Sequence, residues 1–234
     1  MNHVVSVASQ LQCRLRAEVL TGGFPPGERL KEEQLAERFG VGRAMLRESF
    51  RQLAQEGLLV AKRNCGVSVA PAPNALVREA LTPVRQTLET VALRRWFERR
   101  EAAHFASWER VLARMRLACE ARDRGGIMDA DIEFHALIFA HAGLEELLPV
   151  WRPAMLLLRA YHVRRNQRHD DGDLVVIHYV HEALLAAFRG KSADAAVRAL
   201  ASHVTDGGFN QRLKRRYYAA QKADARRGKR RAKK

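Results

Sequence analysis

Two short amphipathic stretches meet at Gly40-Val41-Gly42, and few folds accept so abrupt a join. Leu35, Ala36 and Phe39 precede the glycines, and Leu46, Phe50, Leu53 and Ala54 follow, all at helical core spacing. The pattern predicts helices over Leu30–Phe39 and Arg43–Glu56, joined by a tight turn. Upstream, Val4–Thr21 carries Leu11, Leu15 and Val19 near one face, and Gly22, Gly23, Pro25, Pro26 and Gly27 end that helix. Downstream, Gly57 stands where a helix C-terminus wants a left-handed residue. Two short apolar runs, Leu58–Ala61 and Val67–Ala70, then flank the polar turn Lys62 to Gly66, as a hairpin requires. Three helices followed by a hairpin describe a winged helix-turn-helix spanning residues 1–70.

The third helix of that unit carries Arg43, Arg47 and Arg51 opposite its apolar face. A helix of this width fits the major groove of a DNA duplex, where base edges are read. Lys62 and Arg63 on the wing are placed to reach a neighbouring groove.

Beyond Pro71-Ala72-Pro73, a stiff linker over residues 71–74, the chain reads as helical to near its end. Helical segments are predicted at 75–101, 107–124, 127–142, 144–168 (broken near Pro149 and Pro153), 173–189 and 192–218. Gly125-Gly126, Gly143, Asp170-Asp171-Gly172 and Gly190 serve as loops. The class is therefore mainly α, with an antiparallel all-α bundle over 75–218 large enough to hold a pocket. A basic, disordered tail over 219–234 completes the chain.

The net charge is +15, but it is concentrated. Residues 1–70 hold 10 basic and 7 acidic side chains, whereas residues 212–234 hold 12 basic and one acidic. The tail from Arg212 onward therefore reads as a solvated arm able to add non-specific phosphate contacts. No apolar run approaches the roughly 18–20 residues of a membrane span. Met1–Gln10 lacks a basic start and an apolar run, and the three cysteines, Cys13, Cys65 and Cys119, show no CxxC spacing. Both features predict a reduced, cytoplasmic location, with Cys65 in an exposed turn the one oxidisable thiol.

The stretch from Pro26 to Leu59, with Leu35-Ala36-Glu37-Arg38-Phe39-Gly40-Val41 ahead of Arg43 and Gln52-Leu53-Ala54 ahead of Gly57, resembles the DNA-binding domain of the GntR family of bacterial transcription regulators. The resemblance implies a homodimer on a short palindromic operator. It assigns contacts to Arg43 and Arg47 and the wing glycine to Gly66. Members usually open the recognition helix with Ser-Arg-Thr-Pro. Here Gly42-Arg43-Ala44-Met45 lacks both hydroxyls, which implies a different operator preference.

The second half is similar to the FCD ligand-sensing domain of the FadR subfamily. Arg85-Gln86-Thr87-Leu88-Glu89 matches its Arg-x-x-Leu-Glu, Asp131-Ile132-Glu133-Phe134-His135 its Asp-x-x-Phe-His, and His181 to His203 its final helix pair. Leu144 stands where many members have asparagine. Asp131 and His135, four residues apart, are separated by about 40° around a helix and share a face. His181 and His203 lie on consecutive helices that reverse at Gly190. One carboxylate and three imidazoles suit a divalent ion, with Zn²⁺ or Ni²⁺ the natural choices. An octahedral ion would keep two positions free, and the resemblance implies that a small carboxylate effector uses them, with Arg85 binding it as a fork. Repression rather than activation is likewise an implication of the family.

Other readings stay open at this stage. His178, three residues before His181, competes for the same face. Arg152 and Arg159 read as a solvated face that could line a pocket. Trp96, Trp108 and Trp151 read as core anchors, and His104, His141, His162 and His169 as structural or solvated. One rival function is a metalloenzyme with Glu133 or Glu182 as base. The other is a non-specific nucleic-acid binder driven by the tail.

Overall fold

A computed structural model describes residues 6–62, 66–71, 74–165, 174–205 and 212–219, with backbone alone for 161–165. Arg63, Cys65, His169 and residues 220–234 lie outside the described residues, as does the side chain of His162.

The N-terminal unit contains α1 (Val7–Thr21), β1 (Arg29–Leu30), α2 (Glu32–Phe39), α3 (Arg43–Gln55), β2 (Leu59–Lys62) and β3 (Gly66–Val69). Ser6 caps α1 by accepting from the Ser9 amide, and Gly40 ends α2 with φ 64°. Gly57 takes φ 76° after α3, the left-handed conformation its position calls for. Leu30 does not begin a helix. It pairs with Val67 in an antiparallel three-stranded sheet of order β1-β3-β2, so the hairpin gains a third strand. That pairing places Leu30 in the core, beside Leu35, Leu46, Phe50, Leu53 and Val69.

The C-terminal unit holds α4 (Ala75–Arg99), α5 (Ala102–Glu120), α6 (Arg124–Ala142), α7 (Leu148–Arg165), α8 (Leu174–Arg189) and α9 (Ala193–Val204). Gly125 and Gly126 are not a loop but the first turn of α6, where the Asp123 side chain accepts from the Gly126 amide at 3.0 Å. A Cβ at residue 126 would fall 2.5 Å from Asp123 Oδ2, so glycine is what lets this cap close. Neither Pro149 nor Pro153 breaks α7. Pro149 lies in the first turn, where a missing N–H has no helical acceptor to disappoint. Pro153 forfeits one interior hydrogen bond, and the helix continues through it.

The expected helix 192–218 stops at Val204, and residues 212–219 are helical again. Leu213 and Tyr217 of that segment pack on Val176, Tyr179 and Val180 of α8. The start of the basic region is thus anchored on the bundle rather than a free arm.

One apolar core runs through both units. Trp96, Trp108, Trp151, Phe134, Phe139 and Phe188 are fully buried, and Trp96 meets Trp108 edge to face with centroids 5.1 Å apart. The two units meet where α1 lies on α6 and α7. A Cβ at Gly125 would stand 2.8 Å from Ala17 Cβ, and one at Gly57 would stand 3.3 Å from Leu157 Cδ2. The head therefore rests on the two helices that carry Asp131, His135 and Arg159.

Candidate metal centre and nucleic-acid interface

Asp131 and His135 project from one face of α6, and His181 of α8 and His203 of α9 close on them. One ligand atom from each of the four lies within 4.8 Å of every other. His135 Nε2 stands 3.3 Å from His203 Nε2, and His181 Nε2 stands 2.9 Å from Asp131 Oδ1. Despite that approach Asp131 Oδ1 and His181 Nε2 are buried without a hydrogen-bond partner, and Asp131 Oδ2 has only its ion pair with Arg159. Asp131 Oδ1 and His181 Nε2, facing each other inside the cluster, make a poor packing arrangement and a good ligand pair. The reversal at Gly190 brings His203 level with His181, their ring centroids 4.8 Å apart.

The imidazoles are oriented from behind. His181 Nδ1 donates to the Ile177 carbonyl at 2.8 Å, and His135 Nδ1 donates to Glu89 Oε2 at 2.8 Å. In each ring this leaves Nε2 with its lone pair toward the cluster. Glu89 is fully buried on α4 and also accepts from Arg85 Nε at 2.6 Å and Trp151 Nε1 at 2.7 Å. Burial would raise the Glu89 carboxyl, but Arg85 and His135 hold it well below the usual carboxylate range. Burial opposes ionisation of Asp131 too, and the Arg159 guanidinium, with His181, overcomes that and pulls its pKa down. Burial pushes His135 down against Glu89, while burial and then His181 and His135 push His203 down. An ionised carboxylate beside neutral imidazoles is the state that binds metal.

Arg85 points into the bundle as expected, but Glu89 takes its Nε and only Nη2 remains buried without a partner. Arg159 is not on a solvated face: its guanidinium is ion-paired with the buried Asp131. Sequence reasoning put Arg159 on a solvated face, with lining a pocket as the alternative, and missed the orienting roles of Glu89 and Trp151. The Arg85–Glu89 spacing of four was the one available signal. His178 stays out of the cluster and lies 3.7 Å from Glu182. His104 and His141 are structural, stacked with centroids 4.4 Å apart and held by Trp96 Nε1 and Ser107 Oγ.

On the head, Arg43, Arg47 and Arg51 form an exposed stripe along α3. Each is held by a carboxylate of its own unit: Arg43 by Glu33, Arg47 by Glu32 at 2.7 Å and Arg51 by Glu48 at 2.6 Å. Lys62 is exposed at the end of β2, and Gly66 opens β3 with φ 79°. A Cβ there would meet Arg29 Nε at 3.3 Å, so Arg29 is a further basic group at the wing.

Comparison with known proteins decides the family. The FCD domain matches residues 80–206, over half of the chain, and "Bacterial regulatory proteins, gntR family" matches residues 7–69. The chain belongs to the GntR family, with an FCD domain.

This GntR regulator is 22% identical over 206 residues to the gluconate operon transcriptional repressor of Bacillus licheniformis, covering 86% of this chain and 83% of that one. It is 27% identical over 207 residues to the galactonate operon transcriptional repressor of Escherichia coli K12, covering 79% and 88%. Its fold matches that of E. coli McbR/YncC at a TM-score of 0.69 and 20% identity, over 92% of this chain and all of that one. A putative GntR regulator from Rhodococcus sp. RHA1 matches at 0.61 and 22%, over 88% and 96%. The regulator is a DNA-binding transcription factor and not an enzyme. Of the candidate bases of the enzyme reading, Glu133 is half-buried and pairs with Arg114, and Glu182 is exposed beside His178. Among the described residues no helix is long and apolar enough to cross a membrane.

Proposed function

We propose that this GntR regulator is a homodimeric repressor whose operator affinity is set by a small carboxylate bound with a divalent ion at Asp131, His135, His181 and His203. The observation that carries the reading is the convergence of four ligand atoms, three of the site's buried polar atoms having no hydrogen-bond partner. Zn²⁺ or Ni²⁺ fits this donor set. When bound, such an ion supplies positive charge and open coordination positions for an anion. Arg85, with its free Nη2, is the anchoring fork for the effector carboxylate. Relatives that repress gluconate and galactonate operons support a carboxylic acid as the effector class.

Residues 1–70 form the reader, with Arg43, Arg47 and Arg51 in the major groove and the wing of Lys62, Arg63 and Gly66 beside it. Residues 71–74 link it to the sensor at 75–218, and 219–234 form a basic tail. A duplex-reading function places the protein in the cytoplasm. Dimerisation uses α4, where Val84 and Val91, seven residues apart, stay 42% and 50% exposed on one face. A palindromic operator then matches the two-fold axis. Effector binding shifts operator affinity only through a differential preference for one arrangement of α6 and α7 beneath the heads.

The test combines elemental analysis of purified protein with a fluorescence-anisotropy operator titration against a panel of sugar acids and small carboxylates. One equivalent of metal, lost in Asp131→Ala and His181→Ala, is expected, together with an acid that releases the operator. A chain that binds no metal and an operator affinity indifferent to every acid would refute the reading. Deleting residues 220–234, which hold eight basic side chains and one acid, separates it from tail-driven binding. Site preference survives the deletion while the salt dependence of binding becomes shallower.

A further inference from the structure

The Arg159–Asp131 pair is unusual in its placement. Asp131 is 2% exposed at its side chain and belongs to the ligand cluster, whereas Arg159 is 26% exposed and comes from a different helix, α7. The Arg159 Nε is buried without a partner, although the same guanidinium pairs with Asp131 through Nη2. An arginine serving only to neutralise a carboxylate normally uses its fork in two parallel bonds. Here half the fork is idle, and so is Arg85 Nη2, whose Nε is held by Glu89.

Charge balance makes the pair informative. Around the cluster, Glu89 and Asp131 are offset by Arg85 and Arg159, two negative groups against two positive ones. A divalent ion ligated by Asp131 would leave this enclosed site two charges in excess, a state that low-dielectric surroundings penalise heavily. Two adjustments relieve it: the arginine leaves Asp131, and an anion enters.

We infer that Arg159 is the resident counter-ion of Asp131, that a divalent ion exchanges with it for the same carboxylate, and that the displaced guanidinium becomes a second anion anchor beside the metal, complementary to Arg85. This rests on the metal-centre reading above. Metal and carboxylate binding are then coupled through one side chain, which either neutralises Asp131 or grips the effector. Being on α7, which also supports the head, Arg159 carries the exchange to the helix on which the reader rests.

The test titrates Ni²⁺ alone into the full-length protein against a chromophoric chelator. Wild type, Arg159→Met and Arg159→Lys are compared, with folding checked by circular dichroism. Removing the competing cation in Arg159→Met is expected to tighten Ni²⁺ binding about tenfold, the scale of an ordinary site-to-site coupling. Arg159→Lys keeps a cation and stays within about threefold of wild type. Equal or weaker Ni²⁺ binding by Arg159→Met overturns the exchange while leaving the metal centre standing. Ni²⁺ binding by neither protein overturns both, and binding by Arg159→Met alone supports the exchange. Acetate is then titrated into the Ni²⁺-loaded proteins and read by the ligand-field absorption bands. The wild type should respond at about tenfold lower acetate than Arg159→Met. Equal responses, or no response in the wild type, overturn the anion-anchor half.

Discussion

Glu89 Oε2 accepts from His135 Nδ1 at 2.8 Å across the α4–α6 contact, while Oε1 of the same carboxylate holds Arg85 and Trp151. A single buried glutamate thus orients a candidate metal ligand, a buried arginine and a core tryptophan. Glu89→Gln preserves shape but loses the charge that fixes the His135 tautomer. Metal affinity, read by chelator competition, should fall about tenfold, and thermal unfolding should show a loss of about 3–5 kcal/mol because Arg85 is left buried without its counter-ion. Unchanged metal affinity in a folded Glu89→Gln would remove Glu89 from the site.

The arginine stripe is masked by its own glutamates. Arg47→Ala should weaken operator binding by at least about tenfold, and it should also lower the slope of affinity against salt if its contact is to phosphate. Glu32→Gln frees Arg47 from its 2.7 Å partner and should strengthen binding to both specific and random duplexes. A Glu32→Gln variant that binds DNA more weakly than wild type would show that the carboxylate positions Arg47 rather than occupying it.

Contact between head and sensor depends on a missing methyl group. Gly125→Ala introduces a Cβ 2.8 Å from Ala17 Cβ and forces α1 from α6. Overpacking of this kind costs about 1–3 kcal/mol, against a gain of up to about 1 kcal/mol from replacing a helical glycine, so the net effect is destabilising. In an Ala17→Gly background the clash is gone and the same substitution should be neutral or stabilising. A melting series over the four proteins reads the change of sign directly.

His141 supplies a pH dependence independent of the metal cluster. Burial and the neighbouring His104 lower its pKa to about 4, below the ordinary value of 6.5. The unfolded chain therefore takes up this proton first as pH falls. The stabilisation is complete above pH 6.5 and is lost as pH drops toward 4. The ring is only partly buried, so solvent screening limits the contribution to about 1–2 kcal/mol. Melting temperatures between pH 7.5 and 5 should fall less steeply in His141→Gln than in wild type.

Much of the reader was legible locally. Helical spacing around Leu46, Phe50 and Leu53, with glycines at 40 and 57, states the helices and their ends, because periodicity and left-handed backbone are short-range requirements. Leu30 shows where such reasoning fails: its strand partner, Val67, is remote in sequence, and helix propensity over Leu30–Phe39 says nothing of that pairing. Gly125 and Gly126 misled for a related reason. Glycine usually signals a loop, but here its small size serves a cap and a helix–helix contact.

Asp131, His135, His181 and His203 were readable as a set because family motifs hold ligand types at fixed spacing along two segments. The residues behind them were not. Trp151 reaches Glu89 across 62 positions of sequence, and Arg159 meets Asp131 from another helix. By itself, the chain's order of residues determined the reader, the all-α sensor and the ligand types. Tertiary structure alone decided which buried charges neutralise one another, because burial and distance between remote segments, rather than any local pattern, set electrostatic partners.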